Sequence, residues 1–125
     1  MRMASAALIS GYLLCLLSGC GGGTPDSPLA PRLDAAKAVS DPAARDKELV
    51  KLALDAGAAG DAPMASAALD ALSNDTLREQ TKVGVILRLA KAGKVVAARS
   101  LIDTIPDATA KEKLRFKIRT RDYSD

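Results

Sequence analysis

The chain has 125 residues, 18 basic and 15 acidic side chains, a formal charge of +3, and neither histidine nor tryptophan. That length holds one small domain at most. Without histidine a nucleophile–histidine–carboxylate triad is excluded, and two cysteines cannot supply a four-ligand structural zinc site. Tyr12, Phe116 and Tyr123 are its aromatic rings, too few for a base-stacking surface, and a near-neutral charge also argues against nucleic acid as a partner.

The first element reads as a targeting segment. Arg2 supplies a short positive region, and Ala4 to Leu17 is apolar apart from Ser5, Ser10, Gly11 and Tyr12. A bilayer span takes about 20 apolar residues, so this stretch suits the core of a secretory signal instead. Leu17-Ser18-Gly19-Cys20 comes next: a branched apolar residue, two small ones and a cysteine. This resembles the lipobox of bacterial lipoproteins. The resemblance implies that residues 1–19 are a signal peptide, cut between Gly19 and Cys20. It also implies that the Cys20 thiolate takes a diacylglyceryl group and that the freed amine takes a further acyl chain. Two or three chains anchor stably where one is marginal. Cys15 leaves with the signal, so the processed chain has no free thiol and no disulfide. The expected location is the bacterial envelope, with the lipid bilayer as partner through acylated Cys20. Gly21, where aspartate would favour inner-membrane retention, points to the outer membrane facing the periplasm.

Residues 20–31 have linker composition, with three glycines after Cys20 and then Pro25, Pro28 and Pro31. The glycines give free hinging, and the prolines stiffen the second half of the segment.

From residue 32 to 121 the chain repeats itself. Val39-Ser40-Asp41, Leu72-Ser73-Asn74 and Ile105-Pro106-Asp107 are three copies of one turn, 33 residues apart. Ala36, Leu69 and Ile102 precede them in register, and Arg45, Arg78 and Lys111 come after. Gly60 and Gly93, Leu52 and Val85, Leu54 and Leu87, and Ala65 and Ala98 share the same offset. Each unit reads as two helices. Leu49, Leu52, Ala53 and Ala56 line the first on one face. Gly60 ends it in a left-handed conformation, and Asp61 caps the second, with Pro63 tolerated in its first turn. In the next unit Val83, Ile86, Leu87 and Ala90 do the same, Gly93 closes, and Val95, Ala98, Ile102 and Ile105 line the second helix. Asp41, Asn74 and Asp107 read as caps at helix starts, and Arg45, Arg78 and Lys111 as surface residues in first turns. Asp70 and Asp103 recur on the polar face and do not form a carboxylate pair for catalysis.

The inter-helix glycines, the alanines five residues later and the large apolar residues nine later resemble a tetratricopeptide-type repeat, usually about 34 residues long. The fold expected is all-α, a short α-solenoid of antiparallel helix hairpins. The large aromatics of that family's first helix are absent, and Pro106 arrives about a turn early. Two full pairs, a leading half-unit with Leu33, Ala36 and Val39, and one trailing helix predict modest stability.

The last element, Lys111 to Arg121, carries six basic residues among eleven. Leu114, Phe116 and Ile118 alternate with charge, as in a strand, but the repeat register predicts a helix. It serves either as the polar cap that terminates a solenoid, or as a contact surface for an anionic polymer or a protein. The residues for such a contact are Lys113, Arg115, Phe116, Lys117, Ile118, Arg119 and Arg121. Residues 122–125 form a tail. No catalytic residue, cofactor or metal ligand is expected. The function predicted is a non-catalytic envelope adaptor or scaffold with a protein partner or self-association. The alternatives are a structural lipoprotein contacting anionic cell-wall or outer-membrane polymer through its basic end, and a small inhibitory or entry-exclusion lipoprotein.

Overall fold

The computed structural model describes residues 27–124, and the expected signal peptide and Leu17-Ser18-Gly19-Cys20 lie outside that range. Six helices, and among the described residues no strand, succeed one another in order: α1 (Ala30–Lys37), α2 (Pro42–Ala58), α3 (Ala62–Ala71), α4 (Asp75–Lys91), α5 (Val95–Asp103) and α6 (Ala108–Thr120). The all-α class stands as expected, and 108–120 is a helix rather than a strand. The period-two alternation is resolved by burial. Leu114 and Ile118, four apart, face the core, while Phe116 points outward and is 56% exposed.

Helix starts are made by local side-chain chemistry. The carboxylates of Asp41 and Asp61 accept from the backbone N–H of Ala44 and Met64, each at 3.2 Å. The Asn74 and Asp107 side chains accept from Leu77 and Thr109, each at 3.0 Å. Each satisfies one of the donors a first turn leaves over. Prolines stand in the first turns of α1, α2 and α3, where a missing N–H costs nothing.

Helix ends are equally legible. Gly60 has φ +76° and Gly93 φ +87°. Around Gly60, Asp61 N–H donates to Ala56 C=O at 2.9 Å and Gly60 N–H to Gly57 C=O at 3.1 Å. Lys94 N–H to Leu89 C=O (2.8 Å) and Gly93 N–H to Ala90 C=O (3.0 Å) repeat the pattern. This is the paired closure that needs a left-handed residue. Arg121, at φ +57°, makes the same closure after α6. Gly93→Ala is expected to cost about 1–2 kcal/mol, the left-handed penalty of an L side chain, because an added Cβ there meets nothing within 4 Å. Gly60→Ala is expected to cost more, since its Cβ would meet the Lys94 stem at 3.3 Å. Urea unfolding of the two variants measures both.

Short turns make neighbouring helices antiparallel. Beyond that, α1 packs on α2 and α3, α2 on α3 and α4, and α4 on α3, α5 and α6. One core runs through these contacts. Small residues set the spacing: Ala53, Ala56, Ala65 and Ala68 are fully buried. A Cβ on Gly84 would come within 2.9 Å of Leu54 Cδ2, so α2 and α4 touch there because position 84 has no side chain.

Two features depart from the sequence reading, and a third lay outside it. The first helix begins at Ala30, not beyond residue 31. Ser27 is buried, and its hydroxyl donates to Asp61 at 2.5 Å while accepting from Leu29 N–H at 3.2 Å, so the folded unit takes in part of the expected linker. Arg78 is more than a surface residue. Its guanidinium donates to the Leu69 carbonyl at 3.1 Å and to the Leu72 carbonyl, satisfying the C-terminus of α3, and pairs with Asp75 at 2.6 Å. Asp46 is buried in α2 and accepts from both the Ser73 hydroxyl (2.7 Å) and the Ser73 N–H (3.1 Å).

The Ser73 hydroxyl, and then its N–H, hold the Asp46 carboxyl below its ordinary value. A carboxylate depressed in the folded state contributes stability above its unfolded value and loses it as pH falls through the folded one. Wild type is therefore expected to lose more stability than Asp46→Asn between about pH 7 and about pH 3, which bracket the ordinary aspartate value. Urea midpoints at the two pH values test this. Equal losses would remove Asp46 as a source of acid sensitivity.

Candidate functional site

Helices α4 and α6 lie side by side, and a groove of about 430 Å³ opens between them. Gln80, Val83, Gly84 and Leu87 line it from α4; Ala110, Lys113, Leu114 and Lys117 line it from α6. Both sets have the spacing i, i+3, i+4, i+7, which places each on one helical face. The repeat register explains why a groove forms here. In the preceding seam Leu54 lies against Gly84. Adding 33 to both numbers gives Leu87 and Lys117. A long side chain now stands where glycine allowed contact.

The floor is aliphatic, with Leu87 and Leu114 almost wholly buried, and the rim carries two ammonium groups. Lys113 has no ion pair among the described residues, and the Lys117 ammonium donates to the Ser124 carbonyl. Asp122 sits close by. Hydrogen bonds from the Ser124 hydroxyl and N–H, and then the Lys117 charge, hold its carboxyl below the ordinary value. Such a surface binds by apolar burial with orientation from charge.

The predicted contact residues of α6 separate into different roles. Ile118 is in the core. Arg115 is engaged: its guanidinium donates to Glu112 at 2.7 Å and to Asp103 at 2.9 Å, and those bonds, Glu112 first, raise its pKa. It ties α5 to α6. Phe116 stands in register with Val50 and Val83. Those two are partly buried against the core; among the described residues no later helix covers Phe116. Arg119 lies over the Phe116 ring, 5.6 Å from its centroid, within cation–π range. Lys113 and Lys117 face the groove, and Arg121 is exposed at the left-handed end of α6.

Reading along the chain missed the groove, because its lining comes from two helices. The one available signal was the exchange of Gly84 for Lys117 at equivalent repeat positions. Gly19 and Cys20, the expected cleavage and acylation residues, lie outside the described residues. Among the described residues no helix is long and apolar enough to cross a membrane.

No protein-family model, curated protein or solved structure matches this chain.

Proposed function

We propose that this chain is a bacterial envelope lipoprotein, acylated at Cys20, whose helices form a short tetratricopeptide-like α-solenoid acting as a non-catalytic protein-binding adaptor. The observation that carries the adaptor reading is the α4–α6 groove, with its aliphatic floor and the lysines at its rim. Helices that pack on both their first and second neighbours along the chain, with a 33-residue register, support the solenoid. The Leu17-Ser18-Gly19-Cys20 segment supports the anchor. Gly21 supports sorting to the outer membrane on its periplasmic side. A role for the basic end as a polymer-binding strip has less support, because Arg115 is paired and Ile118 is buried.

Photo-crosslinking in intact cells tests the adaptor. A photoreactive residue at Gln80, on the groove, is expected to capture one defined protein. The same residue at Lys37, on α1, is expected not to capture it. Identical products from both positions, or only lipid or glycan from Gln80, would remove the reading.

A further inference from the structure

We infer that one end of the helical array faces the bilayer and rests its cations on anionic phospholipid headgroups; this rests on acylation of Cys20 as proposed above. The end in question is fixed by contacts. Ser27 bonds to Asp61 at the α2–α3 turn. A Cβ on Gly60 would meet Lys94 Cε and Ala92 Cβ, so the α2–α3 and α4–α5 turns adjoin. Tyr123 shares a cleft with Leu87, Arg88 and Lys91, which brings the C-terminal tail to the same place. The chain therefore leaves the fold toward Cys20 at the end that holds Gly60, Gly93 and Arg121.

Charge is divided unequally along the array. With every helix cut at its midpoint, the tether half of the described chain holds nine cationic side chains and three carboxylates, Asp55, Asp61 and Asp122. The far half holds seven cations and ten carboxylates, and Arg99 falls on the cut. The positive excess thus sits wholly at the tether end. Lys91, Lys94, Arg119 and Arg121 are exposed there. Seven residue steps separate Cys20 from Ser27, a reach of at most about 25 Å. A tether that short keeps this end near the surface. An anionic leaflet attracts basic residues that come within a Debye length, about fivefold in partition for each. The lipid-anchored chain would then stand with its α3–α4 and α5–α6 turns away from the membrane. The α4–α6 groove would run roughly along the membrane normal, open to a partner from the side.

Spin labels on the processed, acylated protein in vesicles test this. Its thiol chemistry is simple, since Cys20 is blocked, and a cysteine is introduced by Ala92→Cys at the tether end or by Ser40→Cys in the α1–α2 turn at the far end. Both positions are exposed. Headgroups carrying chelated nickel relax nearby labels, and the chain has no histidine to bind that metal. In phosphatidylglycerol-containing vesicles the Ala92→Cys label is expected to relax several-fold faster than the Ser40→Cys label. The difference is expected to shrink in pure phosphatidylcholine, in high salt, and in the Lys91→Glu, Lys94→Glu, Arg121→Glu triple variant with an unchanged circular dichroism spectrum. Equal relaxation of the two labels in anionic vesicles would overturn the orientation. A difference that ignores lipid charge would overturn the contact of these cations with anionic headgroups. Mass spectrometry of the same protein separates the two failures: a chain without acyl groups on Cys20 overturns the anchor as well.

Discussion

Ile86→Ala is expected to destabilise the fold by about 2–5 kcal/mol, the usual cost of truncating a large buried aliphatic side chain. Ile86 is fully buried in α4, and α4 is packed by α2, α3, α5 and α6. The surrounding helices cannot all close on the space left behind. A small domain has about 5–15 kcal/mol in total, and among the described residues no fully buried core side chain is aromatic. The variant should populate unfolded chain under mild conditions. Its urea midpoint should fall while the slope stays constant. Phe116→Ala is the contrast: a larger side chain removed from a half-exposed position under Arg119, expected to cost no more than about 1 kcal/mol. A Phe116→Ala loss as large as that of Ile86→Ala would mean that α6 is rotated and the repeat register is wrong at its end.

Cys20→Ser is expected to move the protein from the membrane fraction to the soluble fraction or to leave it as uncleaved precursor. The hydroxyl of serine does not replace the thiolate proposed to accept the diacylglyceryl group. Each buried CH₂ of an acyl chain contributes about 0.8 kcal/mol to membrane partition, so losing two or three chains removes far more than cations at the tether end restore. Fractionation with and without detergent, plus the intact mass, reads the outcome. Unchanged membrane retention together with a mass that still includes the acyl chains would eliminate Cys20 as the anchor.

Local features were legible in the sequence to the extent that their chemistry is local. Gly60 and Gly93 adopt positive φ because a helix that reverses within three residues needs a left-handed position. Asp41, Asp61, Asn74 and Asp107 cap because their side chains reach an N–H two or three residues on. The helix at 108–120 was predicted by register, although its own alternation of charge and apolar residues favoured a strand. The end of the array also has a readable signature. Ala53, Ile86 and Arg119 are equivalent, as are Ala56, Leu89 and Asp122. Charge replaces core residues where, among the described residues, no further helix packs.

Other features depended on partners distant in sequence. Ser27 is held by Asp61, 34 residues away. Asp46 is held by Ser73, 27 away. Arg78 turns back to the carbonyls of Leu69 and Leu72. No composition rule marks these side chains as different from other polar ones.

The sequence by itself determined the helices, their ends and the 33-residue period, because caps, left-handed glycines and apolar spacing act within one or two turns of backbone. Tertiary structure alone decided which seam stays open and where the charge collects. Those properties depend on which faces of separate helices meet, as when Gly84 admits Leu54 and Lys117 holds off Leu87.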